Sequence, residues 1–529
     1  MKIKHLIIIA TVTLAGCTKL NQKLNDSFEV GAGTSDVDVD ALLNSAYNAM
    51  NNLVHNQERI FNLSVVTTDE ALVPTRGGDW DDNGVFRVLH RHTWTPIHVS
   101  IKGTFNELGG LQHAATTVLA FKPTPQQRAE ALFLRSFAQF WTLDLYGQVP
   151  YRTVAEYNSI DPAPVMTPQE AIDTIDNALK EVIAQQLPDA NVPYKASTDA
   201  AKFLRMKLLL NKGAYLNRQA PTFDNADLDE VIRLGEEIMN SGKYTLTPNY
   251  FDNFGPNNAT TGKGEMILAW PNFGAAVTDS RNSGGINARW MMTLHYNSWN
   301  NVAPNAGWNG FSTLAEFYNM FGAGDTRVGG QPYPGVTDVS GLKPGFLVGQ
   351  QYDEDGVPMK DRQGNPLAFT PEVSLVETQK QRIEVAGIRV VKYPPDYSAY
   401  NGGNQKNQLQ IFRYADVVLM VAEAYMRKGD DASALDIIND LRTVRGAATV
   451  GSMSLVNPSD VNDESTLLAE RGRELYWESW RRQDLIRFGV FTVAWPLKEA
   501  DDDPIRNLLF PIAPDELLAN PNLVQNPGY

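Results

Sequence analysis

Residues 125–146 carry an apolar pattern that constrains their surroundings more than any other stretch of the chain. Leu134, Phe137, Ala138, Trp141 and Leu145 recur at i, i+3, i+4, i+7 and i+11, and Phe133 and Phe140 add a second apolar face. A helix left with only a narrow polar stripe has to be enclosed by several others, since one neighbour covers one face. Gly147 ends it and Pro150 prevents its continuation. The same periodicity predicts helices over residues 38–54, 103–121, 168–186, 199–216 and 227–241. With 529 residues, 43% of them apolar, the chain is long enough to bury such a bundle.

The helices fall into antiparallel pairs. The clearest joins residues 414–428 to 431–444: Ala422, Ala424 and Tyr425 precede a Gly429-Asp430-Asp431 turn, and Ala434, Leu435, Ile438 and Leu441 line the second helix. Their small and large residues resemble tetratricopeptide units, although insertions such as residues 148–167 break the regular spacing of such repeats. A pair of this kind buries its apolar face only by stacking on further pairs.

Between residues 251 and 405 Gly, Pro and Asn are frequent, and helical periodicity is weak except near residues 311–321. This predicts an irregular, loop-rich lobe. A hairpin is expected over residues 351–369, with turns at Asp355-Gly356 and Gln363-Gly364-Asn365. Asp353, Asp355 and Asp361 lack the ordered spacing of a calcium loop and read as turn residues.

The only cysteine, Cys17, follows Lys2, Lys4, an apolar stretch over residues 6–14 and the small residues Ala15-Gly16. That is the layout of a secretory signal, too short to span a bilayer. Leu14-Ala15-Gly16-Cys17 resembles a bacterial lipobox, in which the thiol is alkylated by a diacylglyceryl group and the chain is cut just before it. A lone thiol in an oxidising compartment forms no internal disulfide, and lipidation explains it better. The polar, pattern-free residues 18–36 then read as a tether. Lys and Arg number 46 against 61 for Asp and Glu, and the net charge of −15 argues against a nucleic-acid or anionic-lipid surface.

Chemistry-bearing motifs are sparse. His90 and His92 would point to one side of a strand, and with His98 they offer a weak metal signal against a mixed polar surface strand. Glu474 and Glu478 stand one helical turn apart and meet by geometry the carboxyl spacing of about 5 to 9.5 Å that glycoside hydrolysis uses. Arg471, Arg473, Arg481, Arg482 and Arg487 surround them, which favours ionised, paired carboxylates. No nucleophile elbow, His-Glu-x-x-His or phosphate loop is present. The reading assigns no catalytic residue, no metal and no cofactor.

Aromatic residues point to binding instead. Trp290, Trp299 and Trp308 lie within nineteen residues, joined by Tyr296 and interleaved with Arg289, Asn297, Asn300, Asn301, Asn305 and Asn309. A sugar ring has apolar C–H faces and a hydroxyl rim, so it suits flat aromatic platforms flanked by amide and charged groups. A spacing of nine fits neither a helix nor a strand face and predicts loops. Asp79-Trp80-Asp81-Asp82-Asn83 after Arg76-Gly77-Gly78 forms a second such cluster, and Trp94 follows among the histidines. Asp79, Trp80, Asp81, Arg289, Trp290, Tyr296, Trp299, Asn300 and Trp308 are the candidate ligand residues. The alternative is that these tryptophans plug the underside of irregular loops. Trp141, Trp477 and Trp480 lie in patterned helices and are expected in the core.

Several blocks, from Ile411-Phe412-Arg413-Tyr414 through Glu470-Arg471-Gly472-Arg473-Glu474-Leu475 to Phe510-Pro511-Ile512, together resemble the SusD/RagB family of outer-membrane nutrient-binding lipoproteins. One is Ile411-Phe412-Arg413-Tyr414-Ala415-Asp416-Val417-Val418-Leu419 with Ala422-Glu423-Ala424, followed by Leu441-Arg442-Thr443-Val444-Arg445-Gly446. Others are Glu470-Arg471-Gly472-Arg473-Glu474-Leu475, the run from Glu478-Ser479-Trp480 to Ile486-Arg487, and the ending Phe510-Pro511-Ile512 to Pro527-Gly528-Tyr529. Upstream, Glu130-Ala131, Leu145-Tyr146-Gly147, Gly242-Lys243-Tyr244 and Gly324-Asp325-Thr326-Arg327 agree. The family often places acidic residues soon after the lipidated cysteine, whereas Thr18-Lys19-Leu20-Asn21 stand here.

The resemblance implies a mainly α fold: a SusD-like, tetratricopeptide-like scaffold of four helix pairs carrying an irregular ligand lobe and short hairpins. It implies a non-enzymatic protein, held in the outer membrane through Cys17 and exposed at the cell surface. Such a protein caps a TonB-dependent (SusC-like) transporter and captures an oligosaccharide or another nutrient for import. The expected division is a signal peptide (1–16), a tether (17–36), a helical scaffold (37–250), a ligand lobe (251–405) and a C-terminal helical region packing on the scaffold (406–529). Two other readings stay open: a tethered glycoside hydrolase, and a scaffold that binds only protein partners.

Overall fold

Thr124 and Gln127 cap each other at the start of the long buried helix: the Gln127 N–H donates to the Thr124 hydroxyl at 3.3 Å, and the Thr124 N–H donates to the Gln127 side chain at 2.9 Å. Pro125 occupies the first turn, and Gly147, with φ of 72°, closes the far end in the left-handed region. The helix spans Pro125–Tyr146, and every residue from Ala129 to Tyr146 is buried. Its polar stripe is therefore internal, and its carboxylates are hydrogen-bonded: Glu130 accepts from Tyr47 at 2.7 Å, and Asp144 accepts from Tyr215 at 3.2 Å and Gln483 at 2.9 Å. The computed structural model describes residues 37–187, 193–272, 286, 288–298, 307–330, 343–353, 355–395 and 406–529. Cys17 and the tether lie outside them, as do Trp299, Asn300, Asn301 and Asn305.

The helices used below are α1 (Val39–His55), α2 (Val85–His90), α3 (Val99–Ala120), α4 (Pro125–Tyr146), α5 (Pro168–Ala184), α6 (Thr198–Leu216), α7 (Asn225–Met239), α8 (Tyr414–Arg427), α9 (Asp431–Val444), α10 (Leu467–Leu475) and α11 (Arg481–Arg487). Contacts run in series from α1 to α3, α4, α5, α6, α7, α8 and α9. This is a stack of four helix pairs, and α8 continues it on α7 although the whole loop-rich segment intervenes in sequence. An antiparallel ribbon of Met266–Trp270 and Leu409–Arg413 leads into α8. The core is filled by rings at its centre: Trp141 stacks on Trp480 at 5.3 Å and Phe203 on Phe412 at 4.2 Å. Trp141, Trp477 and Trp480 are all buried. Among the described residues no helix is long and apolar enough to cross a membrane.

The lobe is built from short ladders. Gly345–Leu347 pairs with Arg389–Val391, and Gly349–Gln350 with Ala368–Phe369. In the hairpin the Asp353 carboxylate accepts from the Asp355 and Val357 N–H groups, and the Asp361 carboxylate from those of Gln363 and Asn365. These carboxylates serve their own turns. Near residues 311–321 only Ala315–Asn319 is helical.

The histidine stretch is not the polar surface strand its spacing suggests. His90 closes α2, His92 follows with φ of 57°, and both are buried. The His92 ring lies 2.9 Å from Asp501 and 2.8 Å from the Thr67 carbonyl, and His90 sits 3.3 Å from the Ala71 and Pro496 carbonyls. A local alternation said nothing of the C-terminal segment that packs over these rings.

The arginine-rich blocks form a buried ion-pair network. The Glu474 carboxylate accepts from Arg413 at 2.6 Å, Arg445 at 2.8 Å and Arg327 at 3.3 Å, while Glu265 takes Arg413 and Arg445 at 2.8 Å each. Glu478 pairs with Lys392 and Arg413. A second cluster joins Glu423 and Asp484 to Arg471 and Arg487, and Asp69 pairs with Arg481 at 2.6 Å. Burial acts to raise the Glu474 carboxyl, but Arg445, Arg413 and Arg327 outweigh it and hold it well below the ordinary range. Glu474 is thus a permanently ionised strut, with no proton to donate near neutral pH.

Candidate functional site

Arg76 fixes the Trp80 loop from beneath. Its buried guanidinium donates to the Gly310 carbonyl at 3.2 Å, the Ser312 hydroxyl at 2.8 Å and the Ala386 carbonyl at 2.9 Å. Thr75–Arg76 adds a short parallel pairing with Val376–Glu377. From this base the chain turns through Gly77 and enters an unusual run: Trp80, Asp82 and Asn83 have φ of 62°, 42° and 54°. Left-handed backbone at three non-glycine residues costs about 1 kcal/mol or more each, and persists only where the surroundings over-determine it. Here the Arg87–Asp81 pair at 2.7 Å and the buried Arg76 supply that constraint.

The strained loop presents Trp80 to the wall of a cavity of about 710 Å³. Trp80 and Trp308 stand side by side with ring centroids 6.4 Å apart, and Trp80 meets Phe86 at 5.6 Å. The Trp80 indole lies directly over Gly310, where an added Cβ would come within 2.3 Å of the ring. The lining also takes Gln57, Glu58 and Asn62 from the π-helical segment Gln57–Val66, and the residues leading into α3, including Thr95, Ile97, His98 and Val99. Ile97 and Val99 are 77% and 67% exposed, an apolar rim on an otherwise polar mouth. Asp82 and Asn83 complete the wall.

Three lining side chains carry polar atoms that no partner among the described residues satisfies: both amide atoms of Asn62, the Gln57 oxygen and the His98 Nδ1. Asn62 is 1% exposed. A buried polar atom without a partner costs about 1–3 kcal/mol, which a bound ligand or water would recover. His98 Nε2 lies 2.9 Å from the Val85 carbonyl, so it carries the proton, and burial holds the ring below its usual value and neutral.

The remaining candidates divide. The Tyr296 hydroxyl donates to Asp79 at 2.5 Å, and the Arg362 guanidinium covers the Tyr296 ring at 3.7 Å. Asp79 and Tyr296 are thus brought together beside Trp80 with their polar groups engaged by one another. Asp81 is held by Arg87, and it is Asp82 that faces the cavity. Trp290 is 1% exposed in an apolar cluster with Leu294, Leu347 and Phe369. Arg289 is buried over the Phe61 ring at 4.2 Å and donates to the Val54 carbonyl at 2.8 Å. Composition marked this pair as it marked Trp308, but both side chains are enclosed. Trp94 is likewise enclosed, donating to the Tyr529 hydroxyl.

Asn62, Gln57, Phe86 and Ile97 were not singled out by the sequence, and His98 was marked only as part of a weak metal signal. The available signal was Asn62 itself, a polar residue inside the apolar run Ile60-Phe61-Asn62-Leu63. The expected lobe supplies Trp308, whereas most of the wall comes from residues 57–100. Among the described residues no group of three His, Cys, Asp or Glu is placed to hold a metal.

Residues 275–529 match the SusD family. The starch-binding protein SusD of Bacteroides thetaiotaomicron is 25% identical over 508 residues, covering 89% of this chain and 85% of that protein. A SusD superfamily protein from Parabacteroides distasonis has a TM-score of 0.68 at 20% identity, covering 93% of this chain and 98% of its own. Surface glycan-binding protein A from Bacteroides thetaiotaomicron, solved in complex with laminarihexaose, has a TM-score of 0.64 at 18% identity, covering 92% and 98%.

Proposed function

We propose, from the premise that this chain belongs to the SusD family, that it captures an oligosaccharide in the Trp80–Trp308 cavity without altering it. The observation that carries this reading is that two partly exposed indoles and Asn62, whose amide is buried and unpartnered, line one open cavity of about 710 Å³. Indole faces suit sugar C–H faces, and an amide suits hydroxyls. The relatives named as starch-binding and as complexed with laminarihexaose support a glycan as the ligand class. Against a hydrolytic role, the carboxylates with suitable spacing, Glu474 and Glu478, are spent in buried ion pairs.

The wider reading is a lipoprotein held at the outer-membrane surface by acyl chains on Cys17, delivering its ligand to a SusC-like TonB-dependent transporter. The lipobox and the family membership support it. In this reading the scaffold (37–250) and the C-terminal region (406–529) hold the lobe (251–405) against the Trp80 loop, and residues 17–36 tether the body. Titration of the purified protein with an oligosaccharide panel tests the capture step, and no binding to any member would overturn it. Fractionation of cells carrying Cys17→Ala tests the anchor: release from the membrane is expected, and unchanged attachment would refute it. Co-purification of a large barrel transporter with the wild-type protein tests the partnership.

A further inference from the structure

The charged and unpartnered groups around the cavity are of one kind. Glu58 and Asp82 bring two carboxylates to its wall, and among the described residues no lysine or arginine lines it. Two arginines that adjoin lining residues in sequence are committed elsewhere: Arg59 donates to Glu107 at 2.6 Å and lies 3.8 Å from Glu58, while Arg87 is bound to Asp81. The unsatisfied atoms point the same way. Asn62 Oδ1, Gln57 Oε1 and His98 Nδ1 are acceptors, the last because Nε2 spends its proton on the Val85 carbonyl, and only Asn62 Nδ2 is a donor. These side chains are nine-tenths or more buried.

An acceptor-rich, negatively charged wall satisfies a ligand that brings hydrogen-bond donors. Sugar hydroxyls supply them. A carboxylate or sulfate supplies only acceptors, and it would face Glu58 and Asp82 as a like charge. Asn62, with a donor and an acceptor on one planar group, matches two neighbouring hydroxyls of one ring.

We infer that the cavity selects neutral, hydroxyl-rich glycans and rejects those bearing carboxylate or sulfate groups. This rests on the reading of the cavity as the glycan site. The test is calorimetric titration of the full-length mature protein with two probe sets. One set holds neutral gluco-, manno-, galacto- and xylo-oligosaccharides. The other holds oligogalacturonides, oligoalginates and sulfated galactans of matched length. Each is repeated with Trp80→Ala and with the double variant Glu58→Gln, Asp82→Asn.

Binding confined to a neutral set member and lost in Trp80→Ala is the expected result, with acidic oligosaccharides weaker by at least about tenfold and gaining affinity in the double variant. Tight binding of an acidic oligosaccharide that Trp80→Ala abolishes would overturn the charge selection and leave the site in place. Binding indifferent to Trp80→Ala, or absent throughout, would overturn the site and the selection together.

Discussion

The indole N–H of Trp80 donates to the backbone carbonyl of Trp308 at 2.7 Å, joining residues 228 apart in sequence. The bond ties the strained loop to the lobe and sets the angle at which both rings meet the cavity. The Trp80 ring therefore depends on the Trp308 backbone as well as on its own.

Removing either ring should weaken oligosaccharide binding by about tenfold or more, since a central aromatic anchor is worth roughly 2 kcal/mol. Trp80→Ala and Trp308→Ala, titrated beside the wild type with far-ultraviolet circular dichroism as the folding control, check this. Trp80→Phe keeps an aromatic face but loses the bond to Trp308, and should fall between them. Wild-type affinity in both alanine variants would remove the site.

Gly310 is a positioning residue. Gly310→Ala places a methyl where the Trp80 ring lies, within 2.3 Å of it, so the ring has to move. The expected outcome is a changed near-ultraviolet spectrum and weakened binding, with the helical signal intact. An unaltered Trp80 environment by fluorescence would contradict the packing described.

Breaking the buried network should cost far more than any surface pair. Glu474→Ala leaves Arg413 and Arg445 with reduced compensation inside the core, a class of change that costs about 3–5 kcal/mol. Urea unfolding of the variant checks it. By contrast, Arg128→Ala, which removes a half-exposed pair with Glu181, should shift stability by less than about 1 kcal/mol.

Acid should unfold the protein in two steps of protonation. Burial holds His90 down from 6.5 to about 4, so the stability it contributes is complete above 6.5 and is lost as pH falls towards 4. Burial alone would raise the Glu423 and Glu470 carboxyls, but Arg487 and Arg427 on the first, and Arg327 and Arg473 on the second, hold both at about 2. Their contribution is present above 4.5 and is lost between 4.5 and 2. Glu70 runs the other way. Burial raises it to about 8, so its contribution declines as pH climbs from 4.5 to 8. Midpoint temperatures measured from pH 2 to 9 check all three, and a flat profile below 6.5 would contradict the first two.

Regular elements were legible because their signals are local. Thr124, Pro125 and Gly147 mark both ends of α4 within a residue, and the α8–α9 turn is written in Gly429-Asp430-Asp431. The ion pairing of Glu474 was legible in kind, from the density of neighbouring arginines, although its actual partners Arg413, Arg445 and Arg327 come from distant segments. Of the residues lining the candidate cavity, the sequence had marked Trp80 and Trp308, with Asp82 and Asn83 beside the first. Trp290 and Trp308 have similar polar neighbours in sequence, and which one faces the cavity is decided by where Gly310 and the Trp80 loop meet. The His90–Trp94 stretch misled because its packing against Asp501 and Tyr529 is wholly tertiary.

The buried ion pairs and the cavity wall share no residue: Glu265, Arg327, Arg413, Arg445, Glu470 and Glu474 lie in one set, and Gln57, Asn62, Trp80, Asp82, His98 and Trp308 in the other. Chassis and recognition surface can thus diverge independently. Exchange of residues 79–83 and 95–99 for those of a relative would leave that support unchanged, since none of its ion-pair residues lies in either segment.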